Sequence, residues 1–150
     1  MLLNQLKRIF GAEPPPIGVL AKREPIELAT AALLIEMTRS DFSESSAEQE
    51  AVRHLLQRRY SLTDAELEQL LIDATHRADR AVSLHEFTHR LNKELPAEDK
   101  LAILEMLWRV SNADGHIDKH EEYLIQRIAG LLHISDRDRV RLKLKVVVEG

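Results

Sequence analysis

Two short stretches of this chain carry side chains whose types and spacing could do chemistry. The first, His85-Glu86-Phe87-Thr88-His89, has the pattern H-E-x-x-H. In that pattern two His one helical turn apart bind zinc and the Glu acts as general base. A zinc-dependent hydrolase using His85, Glu86 and His89 is therefore one reading. Three features weigh against it. Ser83 and Glu86 stand at capping-box spacing, which puts His85 in a first helical turn and bends Glu86 back toward the chain. No His or Gly follows at metzincin spacing, and Glu94, Glu98, Asp99 and Glu105 do not stand at the usual distance for a third ligand. Nor does the chain leave room for the β-sheet and cleft of that class.

The second stretch is acidic. Asp114, Gly115, Ile117 and Glu121 echo the later half of an EF-hand loop, where a carboxylate precedes a Gly and a Glu closes the site. With Glu121 as position twelve, position one is Val110 and position three is Asn112, so the leading carboxylate is missing. Local hydrogen bonding explains most of the same residues. Gly115 takes a left-handed C′ conformation, Asp118 caps the next helix and Glu121 completes the capping box. Asp114 is left over, a carboxylate at the unfavourable end of a helix dipole. Either it accepts from loop amides as an Asx turn or it helps to hold a cation. His116 and His120, four residues apart, keep a transition-metal site open.

A fainter copy of this stretch lies upstream. A shift of 73 residues lays Leu28–Asp41 on Leu101–Asp114, Ser45 on Asp118 and Glu48 on Glu121. The repeat predicts two helix-loop-helix units. Asp114, Asp118 and Glu121 are thus the candidate ligands for a divalent cation, and Asp41 and Glu48 are their counterparts in the first unit. Calcium binding through so incomplete a loop would be weak.

The run from Val110, VSNADGHIDKHEEYLIQRIAGLLHIS, resembles the tellurite-resistance TerB family. That family's signature is a helix ending in Ala-Asp-Gly-x-Ile, an acidic helix start with Glu, and an apolar helix closing near a Leu-x-Ile-Ser turn. Ala113, Asp114, Gly115, Ile117 and Glu121 fall in place. In the first copy Phe42 and Ser43 replace the Gly and the variable residue. The resemblance implies a small all-helical cytoplasmic domain, linked to stress and metal-oxyanion resistance, with no established catalytic activity.

Composition agrees with a helical reading. At 150 residues the chain is long enough for one domain, with aromatics at 4% and only five Gly and five Pro. Ala, Leu, Glu and Arg favour helices by propensity. The absence of Cys removes disulfides, thiolate zinc sites and cysteine nucleophiles. A net charge of −4 argues against a nucleic-acid surface. The cations Arg137, Arg139, Arg141, Lys143 and Lys145 read as a solvated face near a helix C-terminus. No apolar run approaches the roughly 18 residues of a membrane span. There is no Gly-rich phosphate loop and no G-x-S-x-G.

The elements that must position these residues follow from punctuation. Residues 2–10 form an amphipathic segment, and Pro14, Pro15 and Pro16 set it apart. Residues 1–24 are read as an arm with a Pro-rich linker, and residues 25–150 as the helical domain. Ser45–Glu48, Thr63–Glu66, Ser83–Glu86 and Asp118–Glu121 mark helix starts, joined by Pro25, Pro96 and Ser135. They predict helices over 25–39, 46–59, 64–78, 84–94, 97–113, 119–132 and 136–147. The expected fold is all-α, a single bundle of about seven helices with Trp108 in its core. The expected function is a non-enzymatic, cytoplasmic interaction or ion-responsive module, with a divalent cation as its only cofactor. A protein partner is expected, and residues 1–10 allow peripheral contact with the inner face of a membrane. A third reading is a scaffold with purely structural acidic loops that recruits a protein or membrane through this arm.

Overall fold

The computed structural model of the chain describes residues 24–39 and 45–150. Seven helices account for most of them, and among the described residues there is no strand. In chain order they are α1 (Glu24–Thr38), α2 (Ser46–Tyr60), α3 (Asp64–Arg80), α4 (His85–Glu94), α5 (Ala97–Ser111), α6 (Lys119–Leu131) and α7 (Asp136–Glu149). The expected segment over residues 2–10, the proline linker and Asp41 lie outside the described residues.

Helix starts obey local side-chain chemistry. Ser45, Thr63, Asp118 and Ser135 are N-caps, each accepting from a backbone amide in the first turn. Thr63–Glu66 and Asp118–Glu121 close full capping boxes. The box expected at Ser83–Glu86 does not form. The N-cap there is Leu84, in the helical region at φ −64°, and it makes no side-chain cap. Ser83 stands one residue too early, so the Glu86 amide meets the Ser83 carbonyl at 3.4 Å instead of its hydroxyl.

The repeat is three helices long. The 73-residue shift lays α1 on α5 over all 15 residues of each, brings the starts of α2 and α6 together, and leaves α3 and α7 one residue out of step. Packing follows the same pattern. In each unit the three helices contact one another, and α4 links the units by packing on α1 and α6. Helices α1 and α5 lie against each other at the centre.

The pattern of α1 explains its place. ATAALLIEM is apolar around most of its circumference, and a helix of that kind must be enclosed. Ala31, Ala32, Leu33, Leu34 and Met37 are fully buried. From α5, Leu104, Leu107, Trp108 and Val110 meet them in the same core. The Trp108 indole is fully enclosed, with Lys143 Nζ of α7 5.7 Å from its ring centroid. Its Nε1–H has no acceptor among the described residues, so packing alone holds it there.

Polar contacts lock the periphery. Tyr60 Oη, at the end of α2, donates to Thr30 Oγ1 of α1 at 2.9 Å, and burial pushes this phenol above its usual pKa. On α5, Glu105 receives Arg109 at 2.7 Å and Lys145 of α7 at 3.1 Å, while Arg109 also reaches Glu149 at 2.6 Å. Burial pushes the Glu105 carboxyl up, but the hydrogen bonds from Arg109 and Lys145 outweigh it and hold the group below its ordinary value.

Candidate functional site

The acidic turn joins the C-terminus of α5 to the N-terminus of α6. Helix α5 stops at Ser111, two residues before the expected end, because Asn112 and Ala113 turn onto the carbonyls of Trp108 and Val110. Gly115 therefore sits beyond the C′ position assigned to it from sequence. Its amide donates to the Asn112 carbonyl at 2.9 Å, and its φ of +87° closes that turn. A side chain at this φ would be strained even though the surrounding space is open.

Each carboxylate in the turn accepts from a backbone amide. Asp114 Oδ1 accepts from His116 N–H at 3.0 Å, the Asx arrangement. Asp118 Oδ1 accepts from His120 N–H at 3.2 Å, and Glu121 Oε1 accepts from Asp118 N–H at 3.2 Å. Ile117 packs against the core and anchors the middle of the turn. Asp114, His116 and His120 are exposed, and Asp118 is half-buried. Glu121 differs, with only 1% of its surface exposed.

The first unit repeats this feature. Ser45 Oγ accepts from Glu48 N–H at 3.3 Å, and Glu48 is 2% exposed. The register thus brings the two glutamates to equivalent third helical positions, both buried. Spacing located them, but it did not reveal their burial; the nearest signal was their equivalence under the 73-residue shift. Among the described residues no group of three or more His, Asp or Glu side chains is placed to hold one metal ion.

The HEFTH stretch opens α4 on the outside of the bundle. His85 and His89 are exposed, their rings stacked with centroids 5.4 Å apart. Glu86 Oε2 accepts from Val82 N–H at 2.8 Å, so its carboxylate serves the turn before the helix. Phe87, Thr88 and Leu91 supply the buried side of α4.

A groove of about 630 Å³ also runs between α2 and α5, lined by His54, Leu55, Arg58, Arg59, Met106 and Arg109. Two of its three arginines are already paired. Arg59 pairs with Asp99 at 3.4 Å, and Arg109 with Glu105 and Glu149.

The family model described as tellurite resistance protein TerB matches residues 27–144. The chain belongs to the TerB family. No curated protein and no solved structure matches it. The matched span covers the helices of this TerB domain from α1 into α7, including both repeat units and the acidic turn. No helix among the described residues is long and apolar enough to cross a membrane.

Proposed function

We propose that this TerB domain is a non-enzymatic interaction module whose acidic turn responds weakly to a divalent cation. Its candidate ligands are drawn from Asp114, Asp118 and Glu121, and Asp41 and Glu48 are their counterparts in the first unit. The burial of Glu48 and Glu121 carries this reading. At Thr63–Glu66 the capping task that Glu121 performs is done by an exposed Glu66, so an amide cap does not require a buried carboxylate. Burying a carboxylate costs free energy that a nearby cation offsets. Asp114 adds a second charge after the C-terminus of α5, where the helix dipole also favours a cation.

The affinity is low because the described residues contain no converging set of three ligands, and water must complete the shell of a hard ion. The engagement of Glu86 with Val82 N–H supports the non-catalytic part of the reading. A cytoplasmic setting, tellurite or metal stress as the occasion, and a protein partner complete the proposal. Calorimetric titration with calcium, magnesium, manganese and zinc tests it, comparing the native chain with Glu121→Gln. Binding in the millimolar to high-micromolar range that Glu121→Gln weakens supports the ion-responsive turn. Identical heats for the two proteins sink it.

A further inference from the structure

Helix α4 has a seat in the bundle, but among the described residues it has no counterpart in the first unit. It packs on α1 and α6, where Asn92 Nδ2 donates to the Leu131 carbonyl at 2.8 Å. The 73-residue register exchanges α1 with α5 and α6 with α2, so the equivalent seat lies between α5 and α2. The groove of about 630 Å³ is there. Arg58 on its rim stands in register with Leu131, while Leu55, Ala102 and Met106 stand in register with Ile128, Ala29 and Leu33. Ile128, Ala29 and Leu33 are buried, whereas Leu55 and Ala102 are half-buried.

Chain order says what belongs in this seat. Helix α4 directly precedes α5, so its counterpart precedes α1. The segment over residues 2–10 does so, and it carries the same pattern. Leu2, Leu3, Leu6 and Phe10 repeat the spacing of Phe87, Thr88, Leu91 and Leu95, the residues with which α4 and its last turn meet the core. Asn4, Gln5, Lys7 and Arg8 match the polar His89, Arg90, Asn92 and Lys93. Ile9 departs, standing where α4 has Glu94. Leu95 and Pro96 join α4 to α5, whereas Gly11 to Arg23 lead into α1. That connection spans up to about 40 Å when extended, against about 22 Å for the 15 residues of α1, so the segment can reach the whole groove.

We propose that residues 2–10 of the chain itself seat in the groove between α2 and α5 as the counterpart of α4. Their apolar stripe covers Leu55, Ala102 and Met106, with the stems of Arg58 and Arg59 alongside. The hold is weak for two reasons. Helix α2 packs directly on α5, which leaves a shallower seat, and Lys7 and Arg8 bring cations to a groove that already has them. The tether compensates. It gives the segment an effective concentration of about millimolar, so the contact forms within one chain more readily than between two. The acidic turn takes no part, so this docking stands or falls separately from the ion-responsive reading.

The chain has no Cys, so Gln5→Cys places a single nitroxide on the polar side of the segment. In the full isotope-labelled chain, with the reduced nitroxide as reference, broadening should be strongest at the amides of Leu55, Arg58, Ala102 and Met106. Leu6→Asp in the same chain should abolish that broadening, with the bundle still folded because the change lies outside it. Deleting residues 1–16 should shift the same groove amides. Sharp groove signals, broadening centred on another face, or broadening that survives Leu6→Asp overturns the proposal. Broadening that appears only between chains, in a mixture of nitroxide-bearing and isotope-labelled copies, assigns the groove to a second copy and overturns it as well. So do sharp groove signals from a segment that sediments the chain with vesicles of about 30 mol% anionic lipid, which would assign residues 2–10 to lipid.

Discussion

Glu48 and Glu121 stand 73 residues apart at the third position of α2 and α6, and the fold buries both, one at the head of the second helix of each repeat unit. Their shared depth sets them apart from the exposed Glu66, which makes on α3 the same cap that Glu121 makes on α6. Glu121→Gln keeps an acceptor for the Asp118 amide while removing a buried charge. Without added cation, its melting temperature should equal or exceed that of the native chain. Glu121→Leu loses the acceptor and should cost about 1 kcal/mol, read by denaturant unfolding. A Gln variant less stable than the Leu variant would contradict this account of the cap.

Trp108 fills the centre of the bundle without a hydrogen-bond acceptor among the described residues. Trp108→Ala should cost about 3–5 kcal/mol, because α1 and α5 cannot both collapse into the space left behind. Loss of less than about 1 kcal/mol in chemical unfolding would mean that the two units are not packed around it.

Glu105 gives stability a definite acid limb. Its folded-state pKa is lowered, so the stabilisation is complete above the ordinary carboxyl value of 4.5 and is lost as pH falls through the depressed value. Glu105→Gln should therefore lower the melting temperature at pH 7, with the deficit shrinking as the pH drops below about 4. A deficit independent of pH would remove the Arg109 and Lys145 pairings as its cause.

His85→Ala and His89→Ala should leave zinc content at background after native purification, because Glu86 is bound to the Val82 amide and both rings lie on an open surface. Stoichiometric zinc lost in both variants would restore the hydrolase reading.

Deleting residues 1–16 should leave the bundle folded, with its melting temperature changed by at most about a few degrees. The three consecutive prolines set this segment apart from the helix-forming pattern. A larger fall would place part of the segment in the core.

The starts of all seven helices could be read to within one residue, six of them from Ser45, Thr63, Asp118, Ser135, Pro96 and Pro25, because a helix N-terminus is satisfied by side chains nearby in sequence. The start of α4 was read one residue early from Ser83, whose expected cap does not form because that helix starts without a side-chain cap. The end of α5 depended on which carbonyls Asn112 and Ala113 could reach, and no side chain announces that. Much of the acidic turn was legible: the Asp118–Glu121 box forms and the Asx bond of Asp114 was one of its two readings, whereas Gly115 stands two residues past the C′ place assigned to it. The depth of Glu48 and Glu121 was not, since burial is set by neighbours distant in the chain.

The most direct test of an ion-responsive turn is the shift of the Asp114 to Glu121 amides as calcium, magnesium, manganese and zinc are added in turn, in the native chain and in Asp114→Asn. Saturable shifts are expected for at least one ion at millimolar to high-micromolar concentration, weakened in Asp114→Asn because one full charge leaves the ligand set. No shift for any ion at about 10 mM, with Asp114→Asn indistinguishable from the native chain, would contradict it and leave the turn as a staple between α5 and α6.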